Sequence, residues 1–86
     1  MPVISRFFGV IITIHNNEHA PPHFHATYGD QQAAIAIRDF SVLRGRLHPR
    51  ALAFVVEWAA LHQAELLVNW ERAMAGESPL PIAPLD

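Results

Sequence analysis

His15, Glu18, His19, His23 and His25 fall within eleven consecutive residues. Imidazole titrates near neutrality, and in its neutral form it is the commonest protein ligand for borderline transition metals. His23 and His25 are alternate residues. On a strand they share one face, while Phe24 between them points to the other. Three kinds of chemistry suit this pattern. His19, His23 and His25 could ligate Zn²⁺ or another divalent transition metal, with His15 or Glu18 as alternative third ligands. His23 and His25 could instead act as general acid and base in phosphodiester cleavage, with Arg44 and Arg46 stabilising the charge that develops on phosphorus and Arg38 and Arg50 nearby. The third reading is structural: both rings hydrogen-bond the polar loop at Asn16, Asn17 and Glu18 and fix the sheet edge.

The elements that must position these side chains can be read from the chain. Residues 3–14 are rich in β-branched and aromatic side chains and predict one long strand with a bulge or bend at Gly9. A polar, proline-punctuated connection follows, ending in Pro21-Pro22, which could bring His19 back over the sheet. His23–Tyr28 and Gln31–Arg38 are joined by Gly29-Asp30, a two-residue hairpin turn. In that register, paired positions sum to 59. Phe24 then faces Ile35 and Ala26 faces Ala33 on an apolar side. His23 faces Ala36 and His25 faces Ala34 on the other side, where the small alanines leave room for a guest. Val42–Leu47 predicts a further strand carrying Arg44 and Arg46 as alternate residues.

His48-Pro49 opens a helix, with proline at its first position. The apolar periodicity runs on to about Ala75, before Gly76. One stripe, formed by Leu52, Val56, Ala59, Leu66, Leu67, Trp70 and Met74, is expected to pack on the sheet. Phe54, Trp58, Leu61 and Val68 form a second stripe on nearly the opposite side. A helix of that length is on the order of 40 Å long, more than a small sheet can cover. The second stripe therefore predicts an interface with a second copy or a small partner protein, or else packing against the C-terminal tail. The expected architecture is α+β: a small antiparallel sheet of three to four strands followed by one long C-terminal helix. Residues 1–76 form the domain, and 77–86 form a proline-rich tail.

Composition excludes several classes. With 51% apolar and 16% charged residues the chain is not disordered, and with no cysteine it has no disulfide. Residues 1–50 carry five arginines against three acids, residues 51–86 one arginine against five, and there is no lysine. RNA is thus only weakly supported as a partner. No apolar run reaches the roughly 18 residues of a membrane span, and the N-terminus lacks a signal-peptide pattern, so a cytoplasmic location is expected. There is no glycine-rich phosphate loop and no G-x-S-x-G motif.

Several segments together resemble one family. These are Met1-Pro2-Val3-Ile4-Ser5-Arg6-Phe7-Phe8-Gly9, His19-Ala20-Pro21-Pro22-His23-Phe24-His25, Tyr28-Gly29, Arg50-Ala51-Leu52, Glu57-Trp58-Ala59 and Asn69-Trp70. They run in order through nearly the whole chain, which is similar to a small bacterial family catalogued as domain of unknown function 4160. The resemblance implies a stand-alone protein often encoded beside another small protein, as in a toxin–antitoxin-like pair. Members often carry a polar or acidic residue where this chain has Ala36. The expectation is a protein-interaction module. The alternative is a histidine-dependent ribonuclease, with or without a metal.

Overall fold

The computed structural model describes residues 2–86; Met1, the first residue of the opening motif, lies outside them. The β-branched N-terminal half forms β1 (Val3–Phe7), β2 (Val10–Thr13), β3 (His23–Tyr28), β4 (Gln31–Ala36) and β5 (Val42–Gly45), followed by α1 (Pro49–Leu61) and α2 (Gln63–Met74). All strand pairs are antiparallel, and the spatial order follows the chain from β1 to β5. The α+β class is as expected, with five strands instead of three to four and two helices instead of one.

The extra strand arises at Phe8-Gly9. Residues 3–14 do not make one strand, because Phe8 (φ 49°) and Gly9 (φ 83°) both take positive φ and close a two-residue hairpin. Two positive-φ residues in succession give the turn whose twist matches the flanking strands. The Gly29-Asp30 hairpin has the register anticipated from sequence: His23 lies opposite Ala36, Phe24 opposite Ile35, His25 opposite Ala34 and Ala26 opposite Ala33. Beyond Gly45 the alternation expected for Arg44 and Arg46 fails. Gly45 has φ +73° and ends β5, so Arg46 lies outside the strand.

The helical segment begins at Pro49, and His48 Nδ1 accepts from the Arg50 amide at 3.1 Å. It does not run unbroken to Ala75. At His62 the chain leaves helical geometry (φ −122°, ψ 24°), and α2 departs at 87° to α1. No proline or glycine marks the break. Gln63 Nε2 donates to the carbonyls of Ile37 and Arg38 at 2.8 and 3.0 Å, tying the start of α2 to the turn that follows β4. His62 Nδ1 lies 2.6 Å from Glu65 Oε1, a contact that fixes the first turn of α2. The bend keeps the longest dimension at 33 Å, and it resets the helical phase. Ala59, Leu66 and Trp70 of the expected sheet-facing stripe are buried, but Leu67 and Met74 are about two-fifths exposed. Neither helix is long and apolar enough to cross a membrane.

The second stripe divides. Trp58, expected at an interface, is fully buried; its ring lies 5.3 Å from that of Phe7 and 5.9 Å from that of Phe24. Its indole Nε1–H donates to the Ala83 carbonyl at 2.8 Å, so the C-terminal tail supplies the polar partner that a buried tryptophan needs. Phe54 is half-buried against Phe8. Leu61 and Val68 are 68% and 48% exposed. Residues 77–86 are strapped to the domain by side chains. The buried Asn69 bonds both the carbonyl and the amide of Leu80 at 2.8 Å, and Arg72 Nε donates to the Ser78 carbonyl. Ile82 is buried, and its amide donates to the Ile4 carbonyl on edge strand β1.

Candidate metal centre

Paired positions on neighbouring strands share a face. One row therefore crosses the sheet on the side opposite Phe24: Thr13 on β2, His25 on β3, Ala34 on β4 and Arg44 on β5. His23 lies two residues from His25 on the same side, and their rings meet edge-on at 5.2 Å. The chain leaving β2 carries His15 and then turns back through Asn17, at φ 61°, bringing Glu18 over these rings. His15 stacks on His25 with ring centroids 4.1 Å apart.

Glu18 is the hub. His25 Nε2–H donates to Glu18 Oε1 at 2.9 Å. His15 Nδ1 lies 3.8 Å from the same oxygen, and His23 Nε2 lies 3.7 Å from Oε2. One ligand atom from each of His15, Glu18 and His25 falls within a 4.8 Å group. The outward ring atoms are anchored as well. His23 Nδ1–H donates to the Pro21 carbonyl at 2.8 Å, and His15 Nε2 shares a hydrogen bond with Thr13 Oγ1 at 3.1 Å. Outer bonds of this type fix the tautomer and orientation of metal-ligating histidines. With Nδ1 protonated, the neutral His23 ring presents a lone pair at Nε2. That atom is buried without a partner among the described residues, and the His23 ring packs against Trp70 at 5.1 Å.

The electrostatics follow from this packing. The hydrogen bond from His25 is the main reason the Glu18 carboxyl is held below its usual range. Burial, aided by the neighbouring His25, lowers the pKa of His15, although Glu18 pulls it upward. Both shifts favour a carboxylate beside a neutral imidazole, the protonation states that bind a metal cation.

The candidate residues are only partly brought together. His23 and His25 share the site, joined by His15 and Glu18, which the sequence offered as alternatives to His19. His19 is exposed, and both it and His23 stand outside the close group of His15, Glu18 and His25, although His23 Nε2 lies 3.7 Å from Glu18 Oε2. Arg44 lies across Ala34 from His25. Arg46 is exposed beyond the strand end, and Arg38 and Arg50 are also exposed. His48 caps α1 and His62 sits at the helix break, both apart from the site.

A family model described as "Domain of unknown function (DUF4160)" matches residues 9–71, and the chain belongs to that family. The match spans the histidine cluster, the hairpin and most of both helices. No curated protein and no solved structure matches the chain.

Proposed function

We propose that this member of the DUF4160 family is a metalloprotein that binds one divalent transition-metal ion through His15, Glu18, His23 and His25. The observation that carries the reading is the Nε2 atom of His23. It is buried, unpartnered and turned toward Glu18, while its opposite ring nitrogen is held by a backbone carbonyl. A buried polar atom left unsatisfied costs about 1–3 kcal/mol. A histidine retained only to brace the loop gains nothing from that cost, whereas a ligand must keep its lone pair free. Three imidazoles and one carboxylate suit Zn²⁺, Co²⁺, Ni²⁺, Fe²⁺ or Mn²⁺ better than the all-oxygen cations Mg²⁺ and Ca²⁺. Ions in this set that accept more than four ligands keep a position for water or an anion. The test is to purify the protein without chelator, measure its metal content, and titrate the stripped protein with Zn²⁺ by calorimetry. One ion per chain is expected, lost in His23→Ala and His25→Ala and retained in His19→Ala. A stripped protein that gives no Zn²⁺-binding heat overturns the reading.

A second reading, as a protein-interaction module, is supported by a different observation. Leu61, Leu67, Val68 and Leu80 are each at least two-fifths exposed, and a cavity of about 250 Å³ opens between α2 and the tail beside Val68 and Leu80. Such apolar exposure suits a second copy or a small partner protein, including the partner of a toxin–antitoxin-like pair. Light scattering tests the self-association form. A dimer that dissociates in Leu61→Glu or Val68→Glu supports it, and a monomer at high concentration refutes it.

A further inference from the structure

At the other end of β3 from His23, the β1–β2 turn and the start of α1 meet around a cavity of about 230 Å³. It is lined by Phe8, Tyr28, His48, Arg50, Ala51 and Phe54. Two ring pairs stand on its lining: Phe8 and Phe54 with centroids 5.0 Å apart, and Tyr28 and His48 with centroids 6.4 Å apart. The Tyr28 ring rests against the hairpin turn, where a Cβ on Gly9 would lie 3.3 Å from its Cε1. Phe8 is the unexpected member. Asn-Gly is the favoured pair where both central turn residues take positive φ, and phenylalanine adopts that conformation reluctantly. Phe8 nevertheless stands at φ 49°, and its ring is 53% exposed although it leans on Phe54. The residue is unfavourable for the backbone and for the surface at once, and contact with a ligand offsets both.

We propose that this cavity binds a nucleotide, the base stacking on the aromatic rings and the phosphate held by Arg50 and His48. The polar groups are free for that task. His48 Nδ1 accepts from the Arg50 amide at 3.1 Å, so the neutral ring carries its proton on Nε2 as a donor. The Arg50 guanidinium enters none of the salt bridges among the described residues. Aromatic pockets also capture cations through the negative faces of their rings. Here two of the six lining residues are basic and none is acidic, so the ligand must bring the negative charge. The cavity is smaller than the roughly 300 Å³ at which sites for whole small-molecule ligands begin, which suits one base and not a dinucleotide. The chain carries a net charge of −2 and no lysine, which disfavours a polyanionic strand. A mononucleotide is therefore the expected occupant, and its site does not depend on the metal reading.

Calorimetry in EDTA tests the site with the histidine cluster kept free of metal. AMP should bind one molecule per chain. Adenosine, which lacks the phosphate, and ribose 5-phosphate, which lacks the base, should each bind about tenfold more weakly or worse. Phe8→Asn creates the favoured turn pair, so its Tm should be no lower than that of the wild type, while its AMP affinity falls about tenfold or more. Arg50→Met should bind adenosine as the wild type does and AMP no better than adenosine. A short oligoadenylate should bind no tighter than AMP; one that binds at least about tenfold tighter, with the same losses in both variants, keeps the site and makes a strand its occupant. A wild-type protein that does not bind AMP overturns the proposal. So does tetramethylammonium binding as tightly as AMP, or unchanged AMP affinity in Arg50→Met. A lowered Tm with unchanged AMP affinity in Phe8→Asn assigns the ring to packing alone and overturns it as well.

Discussion

Glu18→Gln separates a metal centre from a merely structural knot. Gln is close in size to Glu, and its amide oxygen can still accept from His25 Nε2, now 2.9 Å from the carboxylate. The metal-free protein therefore loses only the difference between a charge-assisted and a neutral hydrogen bond, about 1 kcal/mol. The metal-bound protein loses the only anionic donor among the four. Outer-shell contacts alone are worth about 10–100-fold in metal affinity, so loss of a direct anionic ligand should reach at least the upper end. With Zn²⁺ at about 100 times the wild-type Kd, binding stabilises the fold by about 2.7 kcal/mol. For a domain of this size, 1 kcal/mol moves Tm by about 4–8 °C, so Zn²⁺ should raise Tm by about 11–22 °C. If Glu18→Gln weakens binding about 100-fold, the same Zn²⁺ concentration equals the new Kd. The stabilisation then falls to about 0.4 kcal/mol and the shift to about 2–3 °C. Paired melts in EDTA and in Zn²⁺ provide the assay. If Glu18→Gln lowers Tm in EDTA as much as it lowers Tm in Zn²⁺, the carboxylate is a structural acceptor and the reasoning fails.

Three further outcomes follow from the packing. Acidifying the EDTA-treated protein should destabilise it. The lowered Glu18 carboxyl stabilises the fold above its ordinary range and loses that contribution as pH falls through the lowered value. His15, lowered from 6.5, contributes fully above 6.5 and progressively less below it. Tm should therefore be level near pH 7 and fall towards about pH 4, and a Tm that rises between about pH 7 and 5 contradicts both assignments. Trp58→Ala should cost about 3–5 kcal/mol, a large share of the roughly 4–13 kcal/mol expected for a chain of this length. Leu61→Ala should stay within about 0.5 kcal/mol; denaturant midpoints that rank these two the other way would return Trp58 to the surface. Gly45→Ala combines positive φ with a backbone clash at 2.1 Å and should cost about 2 kcal/mol or more. Gly29→Ala, at φ +60° with nothing within 4 Å, should cost less in the same urea titration.

What the sequence made legible is what its local chemistry controls. Gly29-Asp30 sets the central register because two residues between alternating runs leave one pairing that keeps Phe24, Ala26, Ala33 and Ile35 on one side. Pro49 and Gly76 punctuate the helical segment for equally local reasons. The misses all depend on contacts distant in sequence. Phe8 accepts positive φ only because the β1–β2 pairing imposes it, and a phenylalanine carries no mark of that conformation. The break at His62 is driven by carbonyls of residues 37 and 38, twenty-six and twenty-five residues upstream of Gln63. Two apolar stripes on one helix cannot be ranked by periodicity when a tail carbonyl, that of Ala83, supplies the indole partner that lets Trp58 go inside.

The site shows the same division between local and distant control. Alternation on β3 places His23 and His25 together, but the path of residues 14–22 decides which other imidazole joins them. Proximity to Pro21-Pro22 favours His19. A physical signal nonetheless pointed to His15: Glu18 is the only acidic residue before Asp30, and it stands three positions after His15. Three imidazoles converging on one face need an acceptor to orient them or a cation to share, and this carboxylate is the one charge within local reach. The loop that delivers Glu18 to His25 at 2.9 Å also carries His15 to its stack on the same ring. His19, the next residue, is exposed and stays outside the group. The path of the loop therefore decides which imidazoles gather round the carboxylate, and it leaves the buried Nε2 of His23 without a hydrogen-bond partner.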